Sequence, residues 1–232
     1  MVLAAHLQRL YGVRYDPRTE IVITSGSSEA LDIALRAILD PGDEVLCADP
    51  CYVAYLPATL MAGGSFVPVP TYAANDFRLL PHDIEAAITP DTTAILATHV
   101  YGNPCDVEAI DIIAKRHGLK VIYDAAHAFD VKFKGESILK WGDASALSFH
   151  ATKLFHTVEG GAVVLHQEDH DKALRLLRSF GHVGDEHFTL GMNAKMSEVH
   201  AAMGMAVLPH VVAARVAVAS SVAGGSAPSS RS

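Results

Sequence analysis

Ser145-Ala146-Leu147-Ser148-Phe149-His150-Ala151-Thr152-Lys153 runs on, past a short turn, to Glu159-Gly160-Gly161-Ala162-Val163-Val164. An apolar strand leads into a polar turn that carries one lysine, and a glycine pair opens a second apolar strand. The pair reads as a tight turn that needs positive φ. A lone lysine beside a strand end is, by itself, an ordinary solvated residue. Upstream, Val121-Ile122-Tyr123-Asp124-Ala125-Ala126-His127-Ala128 reads as a buried strand ending in Asp124, with His127 three residues on. Lysine, aspartate and histidine at the ends of such strands form a chemical set rather than scattered surface residues.

Outward from this stretch, the chain alternates short apolar strands with helices of about ten residues, the pattern of a mostly parallel, doubly wound sheet. Strands are expected at 20–24, 44–47, 65–69, 93–98 and 119–123. Helices are expected at 5–11, 27–39, 49–61, 106–117, 168–179 and 197–208, with Gly118 ending one and Ser197 capping another. Residues 181–191 read as a polar loop. Ligands bind outside the carboxyl ends of such strands. Ser27, Tyr52, Tyr101, Asp124 and Ser148 all follow strands in this pattern. Ser27 and Ser28 open a helix, where they can act as caps or, with free backbone N–H groups, cradle a phosphate.

Of the 232 residues, 50% are apolar and 19% charged, which suits a buried α/β core and excludes a disordered chain. The net charge of −8 argues against a non-specific nucleic-acid surface. No unbroken apolar run reaches the roughly 18 residues that span a bilayer, and no signal peptide is expected. Cys47, Cys51 and Cys105 have no metal-type spacing and read as reduced thiols of a cytoplasmic protein. The scattered histidines predict no metal. From about Ala213 the chain is rich in Ala, Val, Ser and Gly, and 211–232 is expected to be a low-complexity, disordered tail after one domain at 1–210.

A lysine and a strand-end carboxylate are what pyridoxal 5′-phosphate (PLP) requires: an amine for the Schiff base and an anion to keep the pyridinium protonated. From Tyr101-Gly102-Asn103-Pro104 through Asn193-Ala194-Lys195-Met196-Ser197-Glu198, the sequence resembles the DegT/DnrJ/StrS-type aminotransferases, fold-type I PLP enzymes that aminate nucleotide-linked keto-sugars. The first third, with Ile23-Thr24-Ser25-Gly26-Ser27-Ser28-Glu29-Ala30-Leu31 and Asp49-Pro50-Cys51-Tyr52, also resembles class I/II aminotransferases. A seam near residue 95 is therefore open between a subfamily trait and a chimera.

The resemblance implies a three-layer α/β/α domain and a set of roles. Lys153 would be the Schiff-base lysine and proton carrier, and Asp124 the partner of the pyridine nitrogen. Tyr52 would stack on the ring, and His127 would lie near the ring or its 3′-oxygen. Ser27, Ser28 and Ser148 would hold the phosphate. Asn193 would reach the phosphate of a second copy, implying a homodimer. Each keeps a plainer alternative: a helix cap for Asp124, core packing for Tyr52 and His127, a strand-end serine for Ser148, a loop cap for Asn193. Tyr101 would lie near the lysine or substrate. The resemblance further implies a small C-terminal domain that is truncated here. The expected reaction moves an amino group from an amino acid, glutamate, to a nucleotide-linked keto-deoxy-sugar. The alternatives are an amino-acid aminotransferase or lyase of class I/II type, and a non-catalytic PLP-binding module.

Overall fold

The computed structural model describes residues 1–166 and 168–224. Helix α1 (Val2–Tyr11) precedes strand β1 (Ile21–Thr24), helix α2 (Ser27–Ile38) and strand β2 (Glu44–Asp49). Helix α3 (Tyr55–Met61), strand β3 (Ser65–Pro70), helix α4 (Pro81–Ala87) and strand β4 (Thr92–Thr98) follow. Next come α5 (Val107–His117), β5 (Lys120–Asp124) and a small hairpin, β6 (Lys132–Phe133) with β7 (Glu136–Ser137). Strands β8 (Ala144–Ser148) and β9 (Gly161–Leu165) flank the lysine turn. Helix α6 (Glu168–Arg178), a second hairpin of β10 (His182–Val183) and β11 (Glu186–His187), and helices α7 (Glu198–Val207) and α8 (Val211–Gly224) complete the described residues.

The central sheet has seven strands in the order β1-β9-β8-β5-β4-β2-β3. From β8 to β3 every neighbour is parallel, whereas β9 runs antiparallel to both β8 and β1. Strand β1 therefore points the same way as the parallel strands, and the carboxyl ends of β1, β2, β4, β5 and β8 share one edge.

Each inner strand is buried on both sides, and its alternation divides it between two cores. Ala162 and Val164 of β9 pack with α1 and α5 through Leu7, Ile110 and Ile113, whereas Val163 and Leu165 pack with α2 and α6 through Leu31, Leu35 and Leu174. This period-2 division is what makes a three-layer domain. Strand β1 ends the sheet, and α6 covers its outer edge. The guanidinium of Arg175 donates to the Ile21 carbonyl at 3.1 Å and that of Arg178 to the Ile23 carbonyl at 3.2 Å. Carbonyls that would otherwise invite another strand are thereby occupied.

Several expectations need correction. Helix α3 begins at Tyr55, not at 49–52, because Pro50 holds the chain out of helix and residues 53–54 form a turn. The polar loop at 181–191 contains the hairpin of β10 and β11. Of the glycine pair only Gly160 has positive φ, at 159°; Val158 in the same turn is left-handed at φ 70°, and Gly161 is needed for close packing, described below. The expected disordered tail is helical as far as Gly224, and 225–232 lie outside the described residues. Pro209 does not break the chain, because it sits at the start of a single 3₁₀ turn, Leu208–His210, where its missing N–H is not required. Glu198–Val218 thus forms one helical stretch of 21 residues that, by length and composition alone, is long and apolar enough to cross a membrane.

Candidate active site

A cleft of about 1290 Å³ opens at the shared carboxyl edge of the strands. Ser27, Ser28, Tyr52, Tyr101, Asp124, His127, Ser148 and Lys153 all line it, from five different strand-to-loop junctions and the β8–β9 turn. Asn193 does not. It is exposed, its side-chain oxygen accepts from the Lys195 ammonium at 2.7 Å, and its backbone bridges to Ser179.

The lysine turn is rigid for local reasons. The Phe149 N–H donates to the Gly160 carbonyl and the Thr157 N–H to the Phe149 carbonyl, both at 2.8 Å. Phe155 packs against Phe129 and Phe149, each with 4.9 Å between centroids, and forms an aromatic floor. Lys153 is half-buried, and its backbone N–H donates to the His150 carbonyl at 2.9 Å.

Asp124 ends β5 as a buried carboxylate. Its Oδ1 accepts from the Ala126 N–H at 2.9 Å and its Oδ2 from the Tyr55 hydroxyl at 2.6 Å. A carboxylate offers about four lone-pair positions, so capacity remains on the cleft side. Turns, not a helix, follow Asp124, so it caps none.

His127 is exposed on the cleft wall and does not pack in the core. Its Nδ1 accepts from the Tyr101 N–H at 3.2 Å, and its ring lies against that of Tyr101. Partial burial first, and then the charge of Lys153, pull its pKa below the ordinary imidazole value, while Asp124 opposes them. The neutral form with the proton on Nε2 is the one this geometry favours.

The N-terminus of α2 presents donors of the kind that can hold an anion. Gly26 occupies the cap position and no side chain caps the turn, so Ser27 and Ser28 are not caps. The N–H groups of the first turn are left for a ligand. Strand β9 presses directly on this turn: a Cβ on Gly161 would fall 2.5 Å from the Gly26 carbonyl carbon and 2.7 Å from the Ser27 nitrogen. Glu29 also lines the cleft, and burial, reinforced by Asp32, raises its pKa. Ser148, on the opposite side, is buried and accepts weakly from the His150 N–H at 3.4 Å. Tyr52 is 52% exposed and meets Tyr55 edge-on, with 5.7 Å between centroids, so it is not a core residue.

Uncapped helix N–H groups for a phosphate, an amine for an aldehyde, a carboxylate for a pyridinium and an exposed aromatic face together match the chemistry of PLP. The donor set fits that cofactor. Sequence reasoning missed Tyr55 and Thr98, which join Asp124 in one hydrogen-bonded group. No local pattern marks them, because Tyr55 lies 69 residues from Asp124 and 43 from Thr98 along the chain. It also missed the Asp76–Pro81 segment, which forms the outer lip.

Comparison with known proteins agrees with this geometry. The profile of the DegT/DnrJ/EryC1/StrS aminotransferase family matches residues 11–220, on both sides of residue 95. A dTDP-4-amino-4,6-dideoxy-D-glucose transaminase of Shigella dysenteriae is 51% identical over 129 residues, covering 55% of this chain and 35% of the relative. The protein of the same name from Escherichia coli is 40% identical over 196 residues, covering 82% of this chain and 52% of the relative. The chain spans about half the length of the curated relatives it matches, and only 35% of the Shigella protein. Among solved structures, NtdA from Bacillus subtilis with bound cofactor PMP superposes with a TM-score of 0.76 at 30% identity, covering 89% of this chain and 48% of that one. The match along the chain, the seven-strand sheet and the cleft agree: this chain belongs to the DegT/DnrJ/EryC1/StrS aminotransferase family.

Proposed function

We infer that the cleft binds PLP and serves the transfer of an amino group from an amino acid, glutamate, to a keto-deoxy-sugar carried on a nucleotide. The observation that carries this reading is the convergence of Lys153, Asp124 and the uncapped N-terminus of α2 on one cleft. Residues 1–210 are the PLP-binding unit. When bound, PLP supplies an electron sink for the carbon that exchanges its amino group. The residues of the chain do the rest. Lys153 provides the nucleophilic amine and afterwards carries a proton. Asp124 holds the positive charge of the pyridine nitrogen. Ser27, Ser28 and Ser148 hold the phosphate, Tyr52 covers the ring, and His127 orients it through Nε2. The names of the relatives support a nucleotide-linked sugar as acceptor.

Asn193 lies outside the cleft of its own chain, so its service to a cofactor requires a second copy, and the reading includes a homodimer. Three free cysteines suit a reducing, cytoplasmic setting.

The test is reconstitution with PLP, borohydride reduction and peptide mapping, followed by amino transfer from glutamate to dTDP-linked keto-sugars and, in parallel, to free 2-oxo acids. A pyridoxyl adduct on Lys153 with transfer to the nucleotide-sugar is expected. Transfer to free 2-oxo acids alone favours an amino-acid aminotransferase, and an adduct without any transfer favours a non-catalytic PLP-binding module. No adduct on Lys153 overturns the cofactor reading.

A further inference from the structure

The buried phenol of Tyr55 touches two of the groups that the cofactor reading relies on. Its hydroxyl donates to Asp124 Oδ2 at 2.6 Å, and its ring meets Tyr52 edge-on at 5.7 Å between centroids. Thr98 Oγ1 lies 2.6 Å from the same hydroxyl. A hydroxyl has one proton to give, and an ionised carboxylate can only accept. The order of donation is therefore fixed as Thr98 to Tyr55 to Asp124. Burial, and then the charge of Asp124, push the phenol pKa upward, so the hydroxyl stays protonated and keeps donating. Tyr55 is 2% exposed on the first turn of α3, and Thr98 ends β4. Both are therefore fixed by secondary structure rather than by a loop.

We propose that Tyr55 is a positioning residue for the cofactor. It turns the Asp124 carboxylate so that the free lone pairs face the pyridine nitrogen, and it props Tyr52 over the ring. The proposal rests on the cofactor reading above. It acts through the ring nitrogen, and this separates it from simple packing.

The experiment compares the binding of PLP with that of its 1-deaza analogue, in which the ring nitrogen is replaced by C–H, to the full chain and to Tyr55→Phe. Loss of one hydrogen bond to a charged group predicts that Tyr55→Phe binds PLP about tenfold more weakly and the analogue within about twofold of wild type. Thr98→Val, which keeps the phenol but removes the group that feeds it, should show the same selectivity with a smaller loss, and it serves if Tyr55→Phe does not fold. Equal weakening for both ligands overturns the proposal and leaves Tyr55 a packing residue. Unchanged affinity for PLP also overturns it. A wild-type chain that binds neither ligand overturns the cofactor reading itself.

Discussion

The imidazole of His127 lies flat against the ring of Tyr101, with 5.5 Å between centroids and 4° between planes. Tyr101 is 85% exposed and left-handed at φ 53°, a conformation that costs a non-glycine residue roughly 1–2 kcal/mol. The stacked ring and the hydrogen bond from the Tyr101 N–H to His127 Nδ1 are what hold it there. In His127→Ala both supports go, and chymotryptic cleavage after Tyr101 should speed up several-fold at pH 7.5. Mapping the first nick by mass spectrometry checks this, and an unchanged rate would show that the loop is held by something else.

The serines at the start of α2 separate capping from ligand binding. Neither makes a cap hydrogen bond, so Ser27→Ala and Ser28→Ala should stay within about 0.5 kcal/mol of wild type in urea unfolding. Ser197→Ala is the contrast, because Ser197 Oγ accepts from the His200 N–H at 3.3 Å, and it should cost about 1 kcal/mol. Affinity for PLP should nonetheless fall several-fold in the α2 variants, with little change for pyridoxal, which lacks the phosphate. Large stability losses without this selectivity would return the two serines to a purely structural role.

Gly161→Ala should damage the fold and the cleft together. The added methyl would meet backbone atoms of Gly26 and Ser27, which cannot swing aside as a side chain can. Overpacking of this kind costs typically about 1–3 kcal/mol, here with the α2 turn displaced. Thermal unfolding and PLP affinity measured on one preparation are expected to fall together; normal binding in the variant would remove Gly161 from the argument.

Acid should weaken the fold through His99. This ring is fully buried, stacks on Tyr123 at 4.6 Å, and accepts the Cys105 N–H at Nδ1. Burial pushes its pKa down to about 4 from 6.5. The unfolded chain takes up a proton at 6.5 and the folded chain does not until about 4, so stability is lost as the pH falls through that window. The contribution is about 3 kcal/mol at most. His6, also lowered by burial, acts in the same direction. His99→Asn keeps an acceptor for the Cys105 N–H without the titration, so its stability should decline less than that of wild type between pH 7.5 and 4.5. Equal declines in urea unfolding would exclude His99 as the cause.

Much of the architecture is legible in the order of residues because βα alternation is a strong constraint. It places Ser27, Tyr52, Tyr101, Asp124 and Ser148 after strands, and parallel pairing brings those strand ends to one edge. The antiparallel direction of β9 is not legible, since a strand buried on both faces carries no mark of its direction. The hairpins at 132–137 and 182–187 have strands of two residues, too short to show a period. Tyr55 escaped notice because its partner Asp124 lies far along the chain, and spacing alone does not reveal a contact made by the fold. Composition also misled at 211–224, where small residues without a clear period still form a helix.

Strand β1 has a single partner in the sheet, and that partner is the last of the seven strands in sequence. During synthesis, on the order of 140 residues must leave the ribosome between the two strands, roughly 7 to 28 seconds at typical translation rates. The two arginines that cover the other edge of β1 arrive later still. The α2 turn is thus among the first parts of the cleft to be made, while its strand joins the sheet only once β9 is present. Until then its strand is an apolar ribbon without sheet neighbours, open to pairing with another chain.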